Sequence, residues 1–129
     1  MSSPAPQTRR AARRTALFLL YQWDLTGQPL ASLYEGDVDP FASELAEAVA
    51  GRAAELDELI GAATEGWTPD RLGVVERNVL RIAVLELRDR RVPKEVAINE
   101  AVSLAKRYAS DEAGKLVNGI LGTIAREAG

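Results

Sequence analysis

The sequence contains neither cysteine nor histidine. Without cysteine there are no disulfides, no thiol redox chemistry and no Cys-ligated zinc. Without histidine no nucleophile can rely on an imidazole base. Aromatic residues make up only 5% of the chain. No apolar run approaches the roughly 18 residues that span a bilayer. The best candidate, Ala16 to Trp23, is short and carries Gln22 inside it. Four arginines precede that stretch, as at the start of a secretory signal, but no small-residue cleavage site follows before Asp24. The expectation is a cytoplasmic protein with no membrane partner, and the missing cysteine fits a reducing compartment.

What is present is the balance of a globular chain. The 129 residues are 47% hydrophobic and 27% charged, the size of one domain and enough to bury a core without covalent staples. The net charge of -3 hides a strong asymmetry. Residues 1–23 hold Arg9, Arg10, Arg13 and Arg14 and no acid, a charge of +4. Residues 24–70 carry -10, and residues 71–129 carry +3. Screening confines each field to about 8–10 Å, so a basic end can hold phosphates on an acidic chain. The acidic middle suits either a basic partner or simple solvation of a helix face.

The apolar spacing is helical throughout, and no period-2 alternation persists. The fold expected is all-α, with about six or seven helices. Residues 1–7 are expected to form a flexible tail and residues 8–129 one helical domain. Thr8 suits the N-cap of a helix from Arg9 to Thr26, ended by Gly27. Residues 28–38 have room for one short helical turn. Asp39-Pro40 is a start signal, and one long helix is expected from there to Ala63, with a kink at Gly51. Thr68-Pro69-Asp70 repeats the start signal. Further helices are expected over Val75–Arg88, from beyond Val92-Pro93 to Tyr108, and after a Ser110 cap.

Three groups of residues stand out as candidate sites. On a helical wheel Arg9, Arg10, Arg13 and Arg14 fall within an arc of roughly 140°, and Arg10, Arg14, Leu17 and Tyr21 continue along one line. Arginine forks hold phosphates and stack on bases. Four such contacts would give a log-log salt slope of about -3 on single-stranded RNA. Four cations at a helix N-terminus also oppose the macrodipole, which points to a role other than helix stability. Glu76 projects from the apolar arc of its helix, while Arg77, Arg81 and Arg88 sit outside that arc. A carboxylate placed there needs a partner, either a hydroxyl such as that of Tyr21 or another protein. Gly119 and Gly122 lie inside the last helix, where each costs about 1 kcal/mol relative to alanine, and tight helix packing is the expected reason. Lys115 adds a cation near that helix's start. No carboxylate pair, phosphate loop or metal-ligand spacing suggests an enzyme, a metal or a cofactor.

Four stretches together form a known pattern. They are Arg13–Leu25 (RRTALFLLYQWDL), Asp39–Leu45 (DPFASEL), Trp67–Leu87 (WTPDRLGVVERNVLRIAVLEL) and Val92–Leu121 (VPKEVAINEAVSLAKRYASDEAGKLVNGIL). The chain resembles the NusB family of bacterial transcription antitermination factors over nearly its whole length. The resemblance implies a helical fold of two subdomains, no catalysis and no cofactor. It implies binding of boxA-type single-stranded RNA from ribosomal RNA leaders, together with NusE, a small-subunit ribosomal protein. It also implies action on the RNA polymerase antitermination complex, as a monomer or a homodimer. By position, Arg9, Arg10, Arg13, Arg14, Lys115 and Leu116 would face RNA, and Tyr21 and Glu76 would face NusE. Leu116 stands where the family usually has an aromatic, and Tyr108-Ala109 stands where it has Phe-Gly. Two other readings remain open on the residues alone. One is a protein-docking module without direct RNA binding. The other is the RNA-targeting domain of a ribosomal RNA methyltransferase, for which the 129 residues hold no catalytic region.

Overall fold

The computed structural model of the protein describes residues 6–64 and 71–127. The start signal at Thr68-Pro69-Asp70 and residues 1–5 of the expected tail lie outside the described residues. Among the described residues there are six α-helices, one 3-10 turn and no strand. These are α1 (Pro6–Thr26), the 3-10 turn (Leu30–Leu33), α2 (Pro40–Gly51), α3 (Ala53–Ala63), α4 (Val74–Arg88), α5 (Lys94–Tyr108) and α6 (Asp111–Glu127).

Two boundaries differ from expectation. Helix α1 begins at Pro6, so Thr8 lies inside the helix and is not its cap. Proline fits a first turn, where its missing N–H would have had no helical partner. The expected long helix from Pro40 to Ala63 is two helices that break at Arg52. Arg52 takes φ -120° and ψ 16°, and its N–H turns back to Val49 at 3.1 Å. Its guanidinium reaches both oxygens of Asp89 at the end of α4, at 2.9 and 3.0 Å. Only one residue leaves the spiral, since the Leu56 N–H still donates to the Arg52 carbonyl at 2.9 Å. The apolar phase therefore survives the break, and Leu45, Val49, Leu56 and Ile60 all enter one core.

The other signals act as their chemistry requires. Gly27 ends α1 with a φ of +72°, and its N–H donates to the Trp23 carbonyl at 2.9 Å. Asp39 caps α2 by accepting from the Phe41 N–H at 2.9 Å. Ser110 caps α6 by accepting from the Ala113 N–H at 3.0 Å, with Asp111 and Glu112 in the positive first turn. Gly119 and Gly122 do not serve close packing as expected. A side chain at Gly119 would meet open space, and one at Gly122 would meet only the Arg126 guanidinium.

Helix α4 is the axis of the molecule. It packs against all five other α-helices, and residues 78–86 are buried without interruption. Around it lie Leu17 and Leu20 of α1, Val49 of α2, Leu56 and Ile60 of α3, and Val117 and Leu121 of α6. Each of these leucines contributes roughly 1.5–3 kcal/mol by leaving water.

Two ionic clusters lie inside this packing. Arg13 of α1 donates to both carboxylate oxygens of Glu86 on α4, each at 2.9 Å, and both residues are buried. Arg81, expected outside the apolar arc, is also buried. It donates to both oxygens of Asp57 on α3 at 2.7 Å and to Asp24 on α1 at 3.1 Å. Asp24 also accepts from Arg77 at 2.8 Å and Asn78 at 3.0 Å, and the Trp23 ring lies 5.8 Å from the Arg81 guanidinium. The cluster joins α1, α3 and α4 at one point.

Burial alone would raise the Asp24 carboxyl. Hydrogen bonds from Arg77 and Asn78 and the charges of Arg77 and Arg81 outweigh it and hold the group below its ordinary 3.8. A carboxyl depressed by folding stabilises the native state above its unfolded value. That contribution is lost as pH falls through the folded value. Glu44, held down by its hydrogen bond from Arg91, has the same sign. Thermal stability should therefore decline on acidification below about pH 4. Asp24→Asn should lower the melting temperature at neutral pH and make that acid decline shallower. Melting curves of the two proteins with identical acid dependence would contradict this role.

Candidate nucleic-acid interface

Helix α1 sorts its side chains by direction. Arg13 sits four and seven residues before Leu17 and Leu20, so it points with them toward α4. Its guanidinium is committed to Glu86. Arg9, Arg10 and Arg14 remain toward solvent, with the Arg10 side chain 64% exposed. Among the described residues Arg9 and Arg14 make no ion pair, while Arg10 donates to Glu100 of α5 at 2.8 Å.

The line expected to run from Arg14 through Leu17 to Tyr21 runs through Phe18 instead. Leu17 is buried, whereas Phe18, Tyr21 and Leu25 are 45%, 40% and 58% exposed. Arg10, Arg14, Phe18, Tyr21 and Leu25 follow one another at steps of four, four, three and four residues. One strip of one helix is thus basic at its start and apolar at its end. The Phe18 ring meets Tyr108 of α5 edge to face, with centroids 5.2 Å apart.

Several grooves flank the basic end. One of about 300 Å³ lies between Arg9, the exposed Phe41 and the Glu44–Arg91 pair. Arg91 donates to both Glu44 oxygens at 2.7 and 2.8 Å, and this raises the Arg91 guanidinium above its ordinary value. Beyond Arg91, a groove of about 540 Å³ without α1 residues in its lining has Arg90, Arg91 and Lys94 on its rim. Sequence reasoning passed over Arg90, Arg91 and Lys94. The only available signal was their crowding around Val92-Pro93.

Lys115 and Leu116 are exposed on α6 and line a different groove, about 400 Å³, with Ala63 of α3 and Thr64 just beyond it. Gly119 opens this groove rather than closing a helix contact. The lining of the Lys115 groove includes none of the α1 arginines. Tyr21 and Glu76, by contrast, share one end of the molecule. Asp24, one turn beyond Tyr21, bonds Arg77 and Asn78, the two residues after Glu76. Among the described residues neither the Glu76 carboxylate nor the Tyr21 hydroxyl has a hydrogen-bond partner. Glu76 is half-buried in the first turn of α4, where the helix dipole favours its charge.

No group of acidic residues among those described could hold a metal ion. No helix of the described residues is long and apolar enough to cross a membrane. The fold and this two-part strip define an all-helical binding protein, with a basic surface and an apolar surface side by side on one rod. The chain belongs to the NusB family, whose sequence profile matches residues 10–126. It is similar to the transcription antitermination protein NusB of Rubrobacter xylanophilus, with 40% identity covering 88% of this chain and 87% of that one. The NusB of Desulfitobacterium hafniense is 43% identical, covering 88% and 85%. Among solved structures, a crystal structure of antitermination factors NusB and NusE in complex with double-stranded RNA includes a similar chain. It superposes with a TM-score of 0.84 at 33% identity, covering 95% of this chain and 99% of that one. The NusB of T. maritima superposes at 0.82 with 35% identity, covering 98% and 94%. The family is one of antitermination factors, not enzymes.

Proposed function

We propose that the chain binds boxA-type single-stranded RNA of ribosomal RNA leaders jointly with the ribosomal protein NusE. The assembly then acts on RNA polymerase in the cytoplasm to carry it through terminators in ribosomal RNA operons. The observation that carries this reading is the α1 strip, where exposed Arg10 and half-buried Arg14 run directly into exposed Phe18, Tyr21 and Leu25. Arg9, Arg10 and Arg14 take the phosphates, and Arg13 braces the helix behind them through Glu86. Three contacts contribute about -2 to the salt slope on single-stranded RNA. Lys115 and Leu116 offer the RNA a second foothold in their own groove. Single strands are the favoured form because their unstacked bases can enter such grooves. The described helices act together as one binding unit.

Tyr21 and Glu76 take NusE. A free carboxylate and a free hydroxyl beside an apolar strip suit a partner that brings its own basic and polar groups. A homodimer would bury the same strip, and sedimentation of the chain with and without NusE separates the two occupants.

The direct test titrates a boxA-type RNA with the chain, alone and with NusE, at two salt concentrations. Tighter binding with NusE and weaker binding at high salt are expected. RNA binding that ignores both would contradict the proposal. Glu76→Ala should weaken NusE binding about tenfold, as for a lost charged hydrogen bond, and leave RNA binding by the free chain nearly unchanged. Calorimetry giving wild-type NusE affinity would remove Glu76 from the interface.

A further inference from the structure

The groove between α1 and α5 is set apart from the others by its chemistry. It encloses about 350 Å³, within the range of ligand pockets. Arg10 and Arg14 stand on its α1 side, and Arg107 and Tyr108 on its α5 side. Among the described residues Arg14 and Arg107 have no carboxylate partner. The Arg107 guanidinium lies over the Tyr108 ring, 5.4 Å from its centroid. Phe18 stands perpendicular to the same ring and fixes its plane. Leu104 adds an apolar wall, and Glu100 and Ser103 add polar edges. Glu100 gives one oxygen to Arg10, which leaves the other free to accept.

We infer that this groove is a binding site for one unpaired nucleotide of the RNA. A base entering it stacks on the layer formed by the Arg107 guanidinium and the Tyr108 ring. Arginine planes and aromatic rings are the usual stacking surfaces for unpaired bases. The flanking phosphates meet Arg14 and the free nitrogens of Arg10. The amino or imino edge of the base donates to the Glu100 carboxylate, and the Ser103 hydroxyl serves a neighbouring position. An acidic peptide would satisfy the arginines but would leave the stacked layer unused. The site lies between the basic and apolar halves of the α1 strip, so the nucleotide it holds sits next to the protein partner.

The inference rests on the RNA reading above, and its test separates the two. A short single-stranded boxA-type RNA is titrated against the full chain and three variants. Tyr108→Leu is expected to weaken binding about tenfold with an unchanged salt slope, because a base contact is lost and no phosphate contact. Tyr108→Phe should bind as wild type, since the ring remains. Arg107→Ala, at an exposed position that does not threaten folding, should weaken binding several-fold, because half of the stacking layer is lost. The same RNA carrying 4-thiouridine should crosslink to α5 at Leu104–Tyr108, as read by mass spectrometry.

If wild type binds the RNA while Arg107→Ala and Tyr108→Leu bind it equally well and no crosslink falls on α5, the groove is not a nucleotide site and the RNA reading stands. If the two variants lose affinity for NusE instead, the groove belongs to the protein partner and the inference is overturned. If wild type binds no RNA at all, the functional reading fails first.

Discussion

Arg13→Met is expected to destabilise the protein by about 3–5 kcal/mol, a fall in melting temperature of ~10–20 °C. The side chains of Arg13 and Glu86 are only 6% and 7% exposed. Removing the guanidinium leaves a carboxylate inside the core with no counterion, and that uncompensated charge dominates the cost. The pair itself is not worth so much. Arg13→Met combined with Glu86→Leu should recover most of the loss, because two apolar side chains of similar size carry no desolvation penalty. Denaturant unfolding of the single and double variants measures both terms. A loss under about 1 kcal/mol in the single variant, the scale of an exposed pair, would show that Arg13 reaches water. The folded Arg13→Met protein should keep its RNA affinity well below its melting temperature, since the lost group faces α4.

Arg81→Met is expected to cost a similar ~3–5 kcal/mol, for a different reason. Arg81 ties Asp57 of α3 and Asp24 of α1 to α4, so its loss affects three helices at once. Asp24 keeps Arg77 and Asn78, whereas Asp57 loses both of its hydrogen bonds. The Asp57 side chain is 27% exposed, so water relieves part of that deficit. The Trp23 ring loses the cation beneath it, and its fluorescence should shift in the folded variant. Arg52 offers the contrast. It bonds Asp89 and Glu55 at the surface, where water screens the charges, so Arg52→Ala should barely move the unfolding midpoint. Equal effects at Arg52 and Arg81 would refute the importance of burial.

These two arginines also mark where sequence reading ran out. Spacing and caps were enough for the five helical stretches that hold the six helices, for Gly27 as a stop, and for Asp39 and Ser110 as starts. They were not enough for Arg52, because one residue leaving the spiral does not disturb the apolar phase on either side. Charge misled at Arg13 and Arg81, which look like surface residues by type. The signal for burial was present in each case: Arg13 shares its direction with Leu17 and Leu20, and Arg81 lies between Leu80 and Ile82 on the most buried helix. The matching anions could not be found from spacing, because Glu86 and Asp57 are brought in by packing. The apolar half of the α1 strip was partly legible at Tyr21. Phe18 and Leu25 were not legible, because nothing in a run of apolar residues says which ones the fold leaves uncovered. The grooves beside Arg9 and Arg10 depend on how α1 meets α4 and α5, which no local pattern encodes.

The central claim is that the solvent-facing arginines of α1 hold the phosphates of RNA. The most direct test is the salt dependence of boxA-type RNA affinity for wild type and for Arg10→Ala/Arg14→Ala. Two lost phosphate contacts should flatten the log-log slope by about 1.4, with the melting temperature nearly unchanged. Parallel lines of equal affinity would mean that the RNA lies elsewhere on the protein.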